Sequence, residues 1–245
     1  MKTTPGDRNN LEKLETRIGY RFQDRAWLIE ALTHRSFASE QPYGTCRHNE
    51  RLEFLGDAVI GFIVSEWLDE RFPDAAEGVL AKFKSHLVGS IHLAEIARGI
   101  GLGEFLRLNR GEEKTGGRAK RALLENAFEA LTAAMYRDGG MAEATRFIRT
   151  EFAASMDELD PLEVTLADAK TGLQDWLRAN RLPLPEYHTV SADGPPHQRQ
   201  FFVTLSINDR IISEGSGPSV KAAHQSAAAI ALERLKQGLS VTDLT

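Results

Sequence analysis

The sequence predicts a mainly α protein: an all-helical N-terminal domain followed by a small α+β (α-β-β-β-α) domain. Three observations point there. From Leu11 to about Glu158, apolar residues recur at three- and four-residue spacing with few β-branched runs, which is the period of amphipathic helices. Across Asp157 to Ala167 (DELDPLEVTLA) that period lapses and Pro161 appears, as in an inter-domain linker. Beyond it, Gln200 to Ile207 alternates Phe201, Val203, Leu205 and Ile207 with Phe202, Thr204 and Ser206, the two-residue period of a strand. The divisions are read as residues 10–157, a linker at 158–167 and residues 168–238.

In chain order, helices are expected over Leu11 to Ile18, Asp24 to Thr33, His48 to Phe72, Val79 to Gly89, Ile91 to Ile100, Arg121 to Arg137 and Met141 to Met156. Phe72-Pro73, Gly101-Leu102-Gly103, Gly116-Gly117 and Gly139-Gly140 supply the stops. Lys114 to Arg121 (KTGGRAKR) is expected to be a flexible basic loop. In the second domain a helix is expected over Ala169 to Asn180, an extended segment over Glu186 to Ala192, and a turn at Asn208-Asp209 leading into Ile211 and Ile212. An Ala-rich helix over Ser219 to Leu235 closes the unit.

A 245-residue chain with 42% apolar residues can build a substantial core. Its apolar runs fall far short of the roughly 18 residues of a membrane span, and MKTTPGDRNN has no signal-peptide pattern, so a cytoplasmic protein is expected. The single Cys46 makes neither a disulfide nor a zinc motif. A net charge of −5 and a pI near 5.9 exclude a broadly basic nucleic-acid binder and leave only local patches for phosphate. Clustered acids have another use, holding hard cations through oxygen ligands.

The segment HNERLEFLGDAVI, residues 48–60, places such acids on a helix. At about 100° per residue, Glu50, Glu53 and Asp57 fall within about 60° of one another, with Leu52, Leu55, Val59 and Ile63 nearly opposite. Like charges at this spacing repel, and no Lys or Arg lies within the stripe. A solvated acidic face is the plain reading, and a bound divalent cation is the functional one. In RALLENAFEAL, residues 121–131, Leu124, Phe128 and Leu131 form an apolar stripe while Asn126 and Glu129 point the other way.

With HNERLEFLGDAVI, Leu32 to Phe37 (LTHRSF), Leu93 to Ala97, Gly101 to Glu104 and Glu129-Ala130-Leu131, the chain resembles the ribonuclease III family over nearly all of residues 10–157. That resemblance implies a metal site of Glu53, Asp57, Asn126 and Glu129, with Glu50 joining Asp57, Glu129 and Glu53 as catalytic carboxylates on the substrate side. It implies Mg²⁺, with Mn²⁺ as a substitute, and a homodimer into which Phe54 inserts. Asn126 departs from the pattern, which has Asp there; an amide oxygen can ligate but brings no charge.

The second domain resembles a double-stranded RNA-binding domain through Lys170 to Leu177 (KTGLQDWL), Gly194 to His197 (GPPH) and Gly215 to Ala223 (GSGPSVKAA). The resemblance implies RNA contacts from Thr171, Gln174, His197, Ser219 and Lys221, with Val220 standing where a basic residue is usual. Such a module reads the shape of an A-form duplex rather than its sequence. The expected function is a Mg²⁺-dependent endoribonuclease that leaves 5′-phosphate and 3′-hydroxyl ends with short 3′ overhangs, acting on ribosomal RNA precursors and structured messages. The alternative is a double-stranded RNA-binding protein whose cleavage is attenuated by Asn126.

Overall fold

The computed structural model describes residues 5–42, 44–195 and 199–237, in two compact units, Met1–Leu159 and Asp160–Thr245. The first unit carries α1 (Pro5–Arg17), α2 (Arg25–Leu32), α3 (Arg35–Ser39), α4 (Glu50–Arg71), α5 (Glu77–Leu87), α6 (Ser90–Gly99), α7 (Arg110–Lys114), α8 (Arg121–Glu151) and α9 (Ala153–Asp157). Short 3₁₀ turns stand at Leu102–Phe105 and Gly117–Ala119. The helices α3 and α7, each of five residues, are too short to register as a periodic pattern. The two helices expected on either side of Gly139-Gly140 are both present, labelled together as α8, and the break between them falls at Gly140, which leaves helical geometry at φ 80°, a backbone region that glycine enters without a Cβ penalty.

The central element is α8, which packs against α2, α4 and α6. Its residues from Ala127 to Met135 are all buried. The sequence pattern sets Glu129 opposite the apolar stripe of its helix, and that side too is covered here, because a helix packed against three others is buried all round over this stretch. Phe128 anchors the core, its ring 5.5 Å from that of Phe147 and 6.0 Å from that of Phe152. Full burial of each such side chain contributes about 1.5–3 kcal/mol.

The second unit runs α10 (Pro161–Ala179), β1 (Glu186–Asp193), β2 (Gln200–Ile207), β3 (Arg210–Gly217) and α11 (Val220–Lys236). The strands form an antiparallel sheet in the order β1-β2-β3. Asn208 and Asp209, at φ 49° and 60°, make the two-residue turn between β2 and β3, the left-handed pair that suits a hairpin's twist. The segment 158–167, expected to be an irregular linker, is helical from Pro161 onward; proline at the first helical position lacks only an N–H that would have no partner there. Ser213 Oγ donates to Ala227 O at 2.7 Å, and a Cβ on Gly215 would meet Ala227 N at 2.2 Å. The alanines of α11 thus let helix and sheet backbones approach closely.

Candidate active site and nucleic-acid interface

The start of α4 is pinned by residues far from it in sequence. The buried Asn49 donates its backbone N–H to Thr33 O at 2.9 Å, and Glu53 N donates to Asn49 O at 2.8 Å. Thr33 is held in turn by Arg107, whose backbone N–H reaches Leu32 O at 2.8 Å and whose guanidinium reaches Thr33 Oγ1 at 3.1 Å while lying 4.4 Å over the Phe37 ring. The LTHRSF segment is therefore a brace for the acidic helix. At the rim, exposed Glu50 lies 3.4 Å from Arg35 and 3.7 Å from the His48 ring.

The crossing of α4 and α8 makes the site. Gly56 is buried, and a Cβ added there would stand 1.9 Å from Glu129 O. The two backbones touch, which brings Glu53 and Asp57 of α4 beside Asn126 and Glu129 of α8. Burial, then the charges of Asp57, Glu125 and Glu53, pushes the Glu129 carboxyl up to about 8. Glu53, half-buried, is also raised, by burial first and then by Glu50 and Glu125, while a hydrogen bond with Asn126 and the charge of Arg35 act the other way.

Glu50, Glu53, Asp57, Asn126 and Glu129 are thus neighbours in one electrostatic cluster, with Asp57 exposed and Glu129 buried. Among the described residues, no three His, Cys, Asp or Glu side chains close into a ready cation cage. The donors are nonetheless all hard oxygens around a buried carboxyl, which fits Mg²⁺ or Mn²⁺. Glu125, one helical turn before Glu129 on α8, adds its charge to those acting on Glu53 and Glu129.

Phe54 is 82% exposed on α4, and Phe62, which the sequence reading passed over, is 55% exposed two turns later. The basic segment 114–121 is not a free loop. Arg118 donates to Gly103 O and Glu104 O at 2.9 Å each and pairs with Glu113, and Lys120 Nζ lies 2.7 Å from Glu112. Of its four charges, Arg118 and Lys120 are committed to internal partners.

In the second unit Thr171 is exposed and Gln174 half-buried on α10. Ser219 caps α11, its Oγ accepting from Ala222 N at 3.1 Å, and Val220 and Lys221 stand exposed in the first turn. His197 lies outside the described residues. A feature missed from sequence is the stack of His224 on Tyr187 at 4.7 Å, with Lys170 Nζ 4.6 Å over the same ring. Burial pushes Tyr187 up to about 12.

Residues 24–156 match the family described as ribonuclease-III-like, and residues 169–235 match the double-stranded RNA binding motif. Ribonuclease 3 of Geobacter sulfurreducens is 46% identical over 233 residues, 95% of this chain and 94% of that protein. Ribonuclease 3 of Pseudomonas fluorescens SBW25 is 44% identical over 226 residues, 91% of this chain and 94% of that one. The crystal structure of the ribonuclease III nuclease domain of Campylobacter jejuni aligns with a TM-score of 0.56 at 38% identity, covering 62% of this chain and 99% of that domain. A second structure of that domain, with a TM-score of 0.53, 39% identity and coverage of 59% and 99%, is described for flexibility in a region involved in its dimer formation.

Proposed function

This chain belongs to the ribonuclease III family, and from that premise we propose that it is a dimeric, Mg²⁺-dependent endoribonuclease that cuts double-stranded RNA to 5′-phosphate and 3′-hydroxyl ends. The observation that carries the reading is the backbone contact of Gly56 with Glu129, which gathers the carboxylates of α4 and α8. Glu53, Asp57 and Glu129 hold the cation, with Asn126 as a neutral oxygen ligand. When bound, Mg²⁺ offsets phosphate charge and lowers the pKa of a water for in-line attack. Glu129, raised to about 8, must give up its proton before both of its oxygens can serve as ligands, so cation uptake strengthens with pH. Glu50, at the exposed rim beside Arg35, faces the substrate.

The second unit supplies duplex affinity. Thr171 and Gln174 of α10 meet a minor groove, while the N-terminus of α11, with Ser219 and Lys221, meets phosphate. Phe54 seats in a second copy, so that each subunit cuts one strand and leaves a short 3′ overhang. Ribosomal RNA precursors and structured messages in the cytoplasm are the substrates.

The test is cleavage of a labelled RNA duplex across a Mg²⁺ titration, comparing the protein with Asp57→Ala and Asn126→Asp. The protein is expected to cut, Asp57→Ala to abolish cutting, and Asn126→Asp to lower the Mg²⁺ required. Duplex binding without cleavage at any Mg²⁺ concentration, with cleavage restored by Asn126→Asp, would replace this reading with that of a binding protein on a nuclease scaffold.

A further inference from the structure

In the second unit, the start of β2, the end of β3 and the first turn of α11 lie at one end of the sheet. Phe201 of β2 stands across from Gly217 of β3, and a Cβ on Gly217 would meet Ala222 Cβ at 2.7 Å and Ala223 N at 2.9 Å. From there α11 runs back along β3, with Ser213 bonded to Ala227 O and Arg234 donating to Ile212 O at 2.7 Å. The turn at Asn208-Asp209 is therefore at the far end. Arg199 immediately precedes β2, and its guanidinium stands 6.0 Å over the ring of Phe201. Phe201 is half-buried and shares the face of β2 on which Val203 and Leu205 are buried beneath α11. Arg199 is thus held toward the α11 side, at the end that carries Ser219, Val220 and Lys221.

Packing alone does not account for its charge. Arg199 is exposed, and among the described residues no carboxylate lies within ion-pair distance of it. By contrast, Arg178 pairs with Asp175 at 3.4 Å, Arg234 donates to a backbone carbonyl, and Lys170 Nζ lies over Tyr187. Asp193, whose neighbour across the sheet is Gln200, accepts instead from Gly194 N at 2.9 Å. At 6.0 Å the contact with Phe201 is at the outer reach of a cation–π interaction, so it orients the guanidinium and leaves its hydrogen-bond donors free. The first turn of α11 contains no acid and a single cation, Lys221, because position 220 is valine. Two cations held near one another without a counter-charge repel, and a phosphate between them offsets that repulsion. A guanidinium suits the task, since its planar fork can take two phosphate oxygens at once.

We propose that Arg199 binds a backbone phosphate of the RNA duplex beside Lys221, supplying from the start of β2 the second cation that Val220 does not provide on α11. The inference rests on the duplex-binding reading of this unit given above, and the experiment separates the two.

Affinity of the full-length protein for a labelled RNA duplex of about 20 base pairs, longer than the roughly 16 that such a module spans, is measured by fluorescence anisotropy over a range of salt, with divalent cations removed. The variants are Arg199→Gln, Arg199→Lys, Lys221→Gln and the double variant Arg199→Gln with Val220→Lys. Arg199→Gln is expected to bind about tenfold more weakly at low salt and to reduce the slope of log affinity against log salt by about one phosphate contact. Arg199→Lys should keep the slope, and the double variant should regain it. Since Arg199 is exposed, Arg199→Gln should melt with the parent. The proposal is overturned if Arg199→Gln keeps the parent's slope, or if adding Val220→Lys restores neither slope nor affinity. Loss of a contact in Lys221→Gln within the same series would leave the duplex-binding reading standing in that event. If the parent binds no duplex, that reading falls and this inference with it.

Discussion

Burial and the charges of Asp57, Glu125 and Glu53 hold the Glu129 carboxyl at about 8, against an ordinary 4.5. Between those values the unfolded chain has released the proton that the folded chain keeps. The contribution of this group to stability is therefore fully present below about 4.5 and is lost as pH rises through about 8. Without divalent cations, Glu129→Gln is expected to match the parent near pH 5 and to exceed it in stability at pH 8.5. The difference is a few kcal/mol at most, since a tenfold change in proton affinity corresponds to about 1.4 kcal/mol. Urea denaturation at the two pH values checks this, and an equal stability difference at both would refute it. Adding Mg²⁺ should stabilise the parent and leave the variant nearly unchanged. The identity of this carboxylate was legible in the sequence, while its burial was not, because burial depends on which helices surround α8.

At the scale of elements, the contact between α4 and α8 depends on the missing side chain at Gly56. A Cβ there would stand 1.9 Å from a backbone carbonyl oxygen, which cannot move as a side-chain tip can. Gly56→Ala is expected to force the helices apart at a cost of about 1–3 kcal/mol. Cleavage should fall further than stability does, because the carboxylates ride on the two helices. Thermal melting and cleavage rate on one preparation separate these effects; equal cleavage per folded molecule would count against the site geometry. The acidic and apolar faces of α4 were legible from period alone, whereas the role of Gly56 was not, since a glycine inside a helix carries no mark of what it approaches.

At the scale of the whole molecule, the proposed assembly and RNA contacts fall on exposed residues. Phe54, 82% exposed beside the acidic face, is expected to be covered in a dimer, so Phe54→Asp should shift the sedimentation coefficient toward the monomer; an unchanged value would exclude Phe54 from the interface. Val220 occupies the first turn of α11 next to Lys221. Val220→Lys should tighten duplex binding and steepen the slope of log affinity against log salt by about one phosphate contact. A slope equal to the parent's would place Val220 away from the RNA backbone.

Periodicity determined the helical first unit, the change of grammar near residue 160, the hairpin at Asn208-Asp209 and the acidic stripe of Glu50, Glu53 and Asp57, because each is a local pattern that one element displays by itself. The tertiary structure alone decided that Glu129 is buried, that Arg118 and Lys120 are tied to internal partners, and that residues from Pro161 are helical. The physical reason is common to most of these: a helical wheel states which residues share a face, but the environment of that face is set by where helices distant in sequence cross it.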